Sequence, residues 1–198
     1  MNPKKIEYFF DIAVALLLFS LPFSMAIPNI ILAVILILSL ISANAQSAND
    51  YLIYVSNFYD KHPTHIKAYR SGYWVKQATI LKNSSKAIFT SSANCEKDQY
   101  GKLILSLEPK IFYNPLMTTL YGGITAKIYG HDGKIITTIF SEDETQGILT
   151  VLYEKLVDKL YKKILIQLQN QISTNDAINS YLQKNSEPIE GTFCSILN

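Results

Sequence analysis

Side chains that commonly bind metals lie together in one short segment, Asp60-Lys-His62-Pro63-Thr-His65. A carboxylate and two imidazoles are ligands that zinc and other transition metals take. A single His-x-x-His pair is a weak signal, and Pro63 between the histidines favours a loop. Asp60, His62 and His65 are therefore a candidate metal site, and a solvated turn is the simpler interpretation.

Two cysteines, Cys95 and Cys194, make a disulfide conceivable. Their separation excludes a Cys-x-x-Cys motif and a local zinc knuckle. In an oxidising compartment the pair could form one bridge. Because Cys194 lies in a C-terminal tail that need not approach Cys95, two unpaired thiols are the alternative.

An acidic run, Glu142-Asp143-Glu144, precedes a long apolar repeat. Clustered carboxylates can bind a cation or serve as acid and base in catalysis. At the start of a helix they instead stabilise the positive end of the helix dipole. With Thr145 as the N-cap, we interpret the run as helix capping.

The sequence lacks the short motifs that mark common catalytic and cofactor sites. It has no Gly-rich phosphate loop, no Gly-x-Ser-x-Gly elbow and no His-Glu-x-x-His pair. The net charge is only +2, and the basic residues are not clustered as a nucleic-acid interface requires. We therefore expect a non-enzymatic protein with no cofactor and no nucleic-acid partner.

Residues 1–45 form a separate apolar segment of the chain. Lys4 and Lys5 precede a run from Ile12 to Ile41 that contains no charged residue. The segment ends in Ala43-Asn-Ala45, a small-residue site of the kind that signal peptidase cleaves, here before Gln46. This pattern predicts that residues 46–198 are exported.

The length of the apolar run leaves cleavage open, because it exceeds both a signal peptide's hydrophobic region and a single spanning helix. Translation from Met25 would give a signal peptide of ordinary length that lacks the positive charge. Retention of the whole segment would give an inner-membrane anchor broken by Pro22 and Pro28, with residues 46–198 outside the cytoplasm. Cleavage would give a periplasmic or secreted protein. No cysteine follows the small residues, so the segment has no lipobox.

Hydrophobic spacing predicts the elements of the exported part. A β-branched and aromatic run indicates a strand over 51–55, and apolar steps of three and four indicate an amphipathic helix over 73–88. Residues 91–100 are expected to form a loop. Extended structure is predicted from 102 to 113, where Pro109 ends or bends the strand, before a turn at Asn114-Pro115. The whole run from 102 to 121 is interpreted as one strand with a kink or as two short strands.

A β-hairpin is predicted over 124–140, with Asp132-Gly133 as a type I′ turn. That turn pairs Gly130 with Ile135, Ile128 with Thr137 and Ala126 with Ile139. It places five apolar residues on one face, and these are Ile124, Ala126, Ile128, Ile135 and Ile139.

A long helix follows from 147 to 172, with an apolar stripe formed by Leu149, Leu152, Leu156, Leu160, Ile164, Leu168 and Ile172. The sequence thus predicts an α+β domain in which amphipathic helices pack on one face of an antiparallel sheet of about four strands. Its core spans about 50–172, and a polar tail covers 173–198.

This order of elements resembles the auxiliary lipoproteins of ABC-type lipid transport systems and the lipopolysaccharide-assembly lipoproteins. They share an export signal and a β-hairpin with an inserted turn, here Asp132-Gly133-Lys134, before a long closing helix. The resemblance covers about 50–172 and implies a non-enzymatic accessory role in a bacterial cell envelope, without catalytic residues. The missing lipobox is a departure from those families.

We therefore expect an exported interaction domain with a protein partner in the cell envelope. It would also contact the membrane if residues 1–45 are retained. Four aromatic residues are its candidate contact surface, namely Phe112, Tyr113, Tyr129 and Phe140. The alternatives are a secreted, disulfide-stabilised factor that acts on another cell, and a small metal protein or enzyme that uses Asp60, His62 and His65.

Overall fold

The computed structural model describes residues 49–68, 71–185 and 188–197, apart from the side chain of residue 196. The signal cleavage site predicted at Ala43, Ala45 and Gln46 lies outside the described residues. Among the described helices, none is both long and apolar enough to cross a membrane. The elements are β1 (Asn49–Tyr54), α1 (Phe58–Lys61), β2 (Thr64–Lys67), β3 (Gly72–Val75), α2 (Gln77–Ile88), β4 (Ser92–Asn94), β5 (Tyr100–Asn114), β6 (Thr119–Tyr129), β7 (Ile135–Gln146), α3 (Tyr153–Ser173), α4 (Asp176–Lys184), β8 (Ile189–Glu190) and a 3₁₀ helix over Gly191–Leu197.

The α+β class predicted from the sequence agrees with the structure, but the sheet is larger and mixed. Its strands follow the order β4-β1-β5-β6-β7, and β8 also pairs with β5, so that six strands take part. The pairs β5–β6 and β6–β7 are antiparallel, whereas β1 runs parallel to both β5 and β4. The expected loop over 91–100 therefore contains a short edge strand.

The strand predicted from 102 onward is a single strand of 15 residues, β5. Pro109 does not end it, because the strand stays paired with β6 on both sides of Pro109. Its odd-numbered residues face the helices and its even-numbered residues face the other way. The long β5 thus forms the spine of the sheet and extends beyond the end of β1, which pairs with it only up to Ser106.

The register of the β6–β7 hairpin is confirmed in its middle and wrong at its turn. Ala126 pairs with Ile139 and Ile128 with Thr137, as expected, but an irregularity then pairs Tyr129 with Ile135. Within this turn only Gly133 takes a positive φ, 72°, and its N–H donates to the Gly130 carbonyl at 3.1 Å. A type I′ turn needs positive φ at both central residues, so the loop is wider than predicted. Ile135 consequently leaves the apolar face and is 51% exposed.

The acidic run is part of β7 and does not cap a helix, so the capping interpretation is wrong. Strand β7 continues to Gln146, and α3 begins only at Tyr153. Asp143 faces the helices, where Gln167 Nε2 donates to its carboxylate at 2.7 Å and Lys163 Nζ lies 3.3 Å from it. Partners on α3, twenty and twenty-four residues away, thus stabilise the extended run.

The helix predicted over 73–88 is wrong in its first turn. Residues Gly72–Val75 form β3, which pairs with β2 in a separate two-stranded ladder that aligns His65 with Trp74. Helix α2 begins at Gln77, after Lys76 in an extended conformation. Trp74 therefore lies on an exposed hairpin rather than on a helix.

Helix α3 covers one face of the sheet and supplies much of the core. Its fully buried residues step by threes and fours, and they are Val157, Leu160, Tyr161, Ile164, Leu165, Leu168 and Ile172. The predicted stripe holds from Leu160 onward, whereas Leu152 is 58% exposed just before the helix. Close packing against β6 is possible because Gly122 has no side chain, and a Cβ there would lie 2.7 Å from Leu160 Cδ2.

The C-terminal segment is not a simple polar tail. Asn175 caps α4 by accepting from the N–H groups of Ala177 and Ile178. Beyond it, β8 and the 3₁₀ helix cover part of the other face of the sheet, where Leu52, Ile104, Ile189 and Cys194 form a second buried cluster. A disulfide joins Cys194 to Cys95, with 6.1 Å between the two Cα atoms. The core therefore extends past residue 172, and the disulfide holds β8 and the 3₁₀ helix against the sheet.

A buried polar chain links three elements within the main core. The Tyr161 hydroxyl donates to Gln77 Oε1 at 2.5 Å, and Gln77 Nε2 donates to Thr64 Oγ1 at 2.6 Å. This chain connects α3, α2 and β2, and it satisfies the phenol that the core encloses. Burial holds the pKa of the Tyr161 phenol well above its ordinary value.

Tyr161 is therefore expected to make stability fall at alkaline pH. An unfolded chain releases the phenol proton at its usual pKa, about 10, while the folded protein keeps it. Because the unfolded state then binds fewer protons, the free energy of unfolding decreases as the pH rises above about 10. Urea unfolding at about pH 8 and about pH 11 should show this decrease, and Tyr161→Phe should reduce it while costing about 1 kcal/mol at the lower pH. Equal decreases in the two proteins would contradict this role.

Candidate interaction surface

The three residues of the candidate metal site each contact different partners in the structure. Asp60 caps α2 from a distance in sequence, since its carboxylate accepts from the N–H groups of Ala78 and Thr79 at 2.9 and 3.2 Å. The His62 ring lies 4.4 Å from the Phe58 ring, whereas the His65 ring lies 4.6 Å from the Trp74 ring. No group of three or more potential metal ligands is found in the part of the chain that the structure describes.

Two of the four predicted contact residues are exposed on the sheet face opposite α2 and α3, which we call the open face. Phe112 is 63% exposed and Phe140 is 54% exposed. Each lies at a position where the register turns the side chain away from the helices. Alternation in the predicted hairpin was the signal that located Phe140.

The other two predicted contact residues are not available on this surface. Tyr113 is 5% exposed because odd-numbered residues of β5 face the core. Tyr129 is half-buried and packs against the second cluster beneath the C-terminal segment. The prediction that Tyr113 belongs to the contact surface is therefore wrong. Tyr129 is largely covered by the C-terminal segment.

Tyr121 completes the open face and was not identified from the sequence. Its ring stacks with that of Phe112, with 6.3 Å between the centroids. Phe140 lies over Gly123, where a Cβ would be 2.9 Å from the Phe140 ring. The missing side chain at Gly123 lets Phe140 lie close to the sheet, so the three rings form a low aromatic surface over β5, β6 and β7.

Charged side chains surround these rings. Lys127 Nζ lies 2.5 Å from Glu108 Oε1 on the open face, and both side chains are about one third exposed. The bond to Glu108 raises the pKa of Lys127. The register also places Glu142 and Glu144 of β7 on this face, where both are exposed. The surface thus combines aromatic rings with a charged border, as protein interfaces commonly do.

A second apolar surface lies where β5 ends and β6 begins. The connection between them and the loop from β7 to α3 expose five aliphatic or thioether side chains, which we call the apolar tip and which are Leu116 (77% exposed), Met117 (57%), Ile148 (76%), Val151 (83%) and Leu152 (58%). No sequence pattern indicated this surface, because exposed and buried aliphatic residues look alike in a hydrophobic pattern.

Backbone and side-chain bonds hold the two loops of the apolar tip together. The Gly147 N–H donates to the Thr118 carbonyl at 2.8 Å. The Tyr113 hydroxyl donates to the Gly147 carbonyl at 3.2 Å and accepts from the Leu149 N–H at 3.3 Å. Buried Tyr113 therefore fixes one loop against the other, and the apolar tip is ordered by the core beneath it.

Two depressions accompany these surfaces. A groove of about 480 Å³ separates β2 from the end of β5 and is lined mainly by apolar residues, including Ile66, Ala68 and Ile111. A cavity of about 530 Å³ lies beside the disulfide, and its walls combine apolar and polar residues. There Lys82 Nζ donates to Asn57 Oδ1 at 3.1 Å.

Comparisons with known proteins find similarity only among solved structures. No protein-family model matches the chain, and no curated protein matches it. A Xanthomonas campestris protein of the DUF330 family has a TM-score of 0.42 and 11% identity, covering 70% of this chain and 90% of that chain. A Caulobacter crescentus protein described as a "putative lipoprotein" has a TM-score of 0.34 and 6% identity, covering 65% and 89%.

Proposed function

We propose that this protein is an exported, non-enzymatic interaction domain that binds a protein partner in a bacterial cell envelope through its open face. The Cys95–Cys194 disulfide is the observation that carries the proposal. Disulfides persist in the periplasm and outside the cell but are rare in the cytosol. The bridge supports an exported location independently of the hydrophobic residues before Ala45, whether these are cleaved or retained.

The contacts of several potentially reactive side chains support a non-enzymatic role. Asp60 caps a helix, Asp143 is held by Lys163 and Gln167, and both cysteines are consumed in the bridge. Each of these groups has a structural task. We therefore assign the protein a binding role.

The open face supports a protein partner. Phe112, Tyr121 and Phe140 offer rigid aromatic area, and residues of this type are enriched in protein interfaces. The border of Glu142, Glu144 and the Glu108–Lys127 pair offers charges that can set orientation. A contact of this kind would leave the helix-covered face free.

Site-specific photocrosslinking in cells tests this proposal. A photoreactive phenylalanine analogue replaces Phe140 in the full chain, and Lys159, an exposed residue on the outer side of α3, serves as the matched control position. We expect one adduct of defined mass in the envelope fraction from position 140 and none from 159. The adduct should decrease about tenfold or more when Phe112→Glu is added, since one buried hot-spot residue is worth about 2 kcal/mol or more.

The same experiment separates the alternatives. Equal adducts from both positions, or none from position 140, would contradict the proposed contact surface. Recovery of the chain from culture medium instead of the envelope fraction would favour the secreted factor. A disulfide is equally compatible with that alternative.

A further inference from the structure

We propose that the apolar tip inserts into the surface of a lipid membrane, as a contact additional to the protein interface on the open face. Its five side chains are between 57% and 83% exposed and come from two loops that project from the same end of the sheet. Exposed apolar residues scattered singly are ordinary, whereas a grouped set of this kind marks an interaction site.

The apolar tip is free of charge along both of its segments. Residues 111–121 and residues 145–153 contain no Asp, Glu, Lys or Arg. A charged group carried into the bilayer would oppose insertion strongly. Eleven and nine consecutive residues without a charge therefore bring no ionised side chain to the lipid, whereas a typical protein interface has a polar rim.

The chemistry of the side chains favours lipid over a protein partner. The apolar tip is built from leucine, isoleucine, valine and methionine. The residues that dominate protein–protein affinity are Trp, Tyr and Arg, and Leu and Val are under-represented among them. Because the two loops project outward, they can enter a fluid layer without needing a matching concave surface.

Aromatic residues lie directly behind the aliphatic ones. The Tyr121 hydroxyl lies 3.7 Å from Met117 Sδ. Tyr153 follows Leu152, and its hydroxyl donates to the Trp74 carbonyl at 3.4 Å. Trp74 itself is 63% exposed. Tyrosine and tryptophan behind an apolar end reproduce the arrangement found at the boundary between hydrocarbon and headgroups.

The bonds within the apolar tip reduce the entropic cost of insertion. Tyr113 holds the second loop through both the Gly147 carbonyl and the Leu149 N–H, and Thr118 accepts from Gly147. A surface that is ordered before it binds loses less freedom when it binds. The side chains are thus presented together.

Charged residues beside the apolar tip include both signs. Lys76 and Lys155 are exposed and take part in no ion pair among the described residues, and Glu154 is also exposed. Two lysines against one glutamate give a weak preference for anionic headgroups at most. Apolar insertion is therefore the main source of affinity.

The apolar tip is remote from the start of the described chain. Asn49 pairs with Gly101 near the beginning of β5, whereas the tip follows Asn114 at its end. At ~3.3 Å per residue, the intervening strand spans roughly 40 Å. A test must therefore report on the tip itself and not on membrane association of the whole chain.

The single tryptophan of the chain, Trp74, provides that readout. The full-length protein is mixed with vesicles of phosphatidylcholine and phosphatidylglycerol, with and without brominated acyl chains. We expect the emission of Trp74 to shift to shorter wavelength and to be quenched by the brominated lipids. Leu116→Asp and Val151→Asp should each weaken the vesicle dependence of both signals about tenfold, because a carboxylate is expelled from the hydrocarbon.

A matched control lies at the opposite end of the sheet. Ile135→Asp introduces the same charge at an apolar residue that is 51% exposed, and it should leave both signals unchanged. Absence of quenching in the unmodified protein, quenching that survives both tip substitutions, or an equal loss from Ile135→Asp would each overturn the proposal. Crosslinking from position 140 should persist in the tip variants. The membrane proposal can therefore fail while the protein-partner proposal holds, and the reverse.

Discussion

Replacing Cys95 and Cys194 together by alanine is expected to lower the free energy of unfolding by about 3–5 kcal/mol. The bridge closes a loop with a sequence separation of 99, and cross-linking residues so far apart removes much of the freedom of the unfolded chain. The bridge also holds the C-terminal segment over Leu52 and Ile104, which are fully buried beneath it. Losing it should therefore both destabilise the fold and loosen this cover.

Urea unfolding of the oxidised protein, the reduced protein and the double variant measures this effect. We expect the reduced protein and the double variant to unfold at similar urea concentrations, both well below the oxidised protein. Reductant should leave the double variant unchanged, which serves as the control. A loss below about 1 kcal/mol would mean that the C-terminal segment holds its place without the bridge.

Leu160→Ala is expected to lower the free energy of unfolding by about 3–4 kcal/mol. Leu160 is fully buried at the centre of the contact between α3 and β6. It lies over Gly122, which has no side chain to move into the vacated space, and Ile164 on the next turn of α3 approaches the same glycine. The substitution should therefore leave a cavity in addition to removing apolar contacts.

The matched control for this prediction is Leu116→Ala, which removes the same atoms from a side chain that is 77% exposed. An exposed substitution of this kind should change the free energy of unfolding by less than about 0.5 kcal/mol. Urea unfolding of both variants measures the difference. Similar losses from the two substitutions would contradict the placement of Leu160 in the core.

Local patterns predicted the elements whose neighbours are close in sequence. The Ala126–Ile139 register followed from alternation across a short loop, and the buried stripe from Leu160 to Ile172 followed from helical spacing. The paired residues of the hairpin are near one another along the chain, and the members of the stripe recur at intervals of three and four residues. The interactions that decide these elements are therefore present in the sequence window itself.

Distant partners explain the errors. The acidic residues of β7 look like a helix cap, but Lys163 and Gln167 stabilise Asp143 within a strand. Trp74 and its neighbours step at helical intervals, yet β2 offers them a strand partner. The parallel pairing of β1 with β4 likewise depends on contact between residues some forty positions apart. Such contacts leave no local periodicity.

The surfaces could be predicted only in part. Alternation in the hairpin placed Phe140 on the face turned away from the helices, where its side chain is exposed, whereas Phe112 and Tyr113 were proposed together without a face assignment. Tyr113 was therefore placed wrongly, since a single step along β5 exchanges the two faces. The apolar tip was invisible in the sequence because hydrophobicity alone does not distinguish a buried leucine from an exposed one.

The most direct test of an exported, disulfide-bonded domain is mass spectrometry of the protein recovered from fractionated cells after thiol alkylation without reduction. We expect to find the chain in the periplasmic or membrane fraction with neither Cys95 nor Cys194 alkylated, and its N-terminus shows whether cleavage follows Ala45. Recovery from the cytoplasmic fraction with both cysteines alkylated would contradict it.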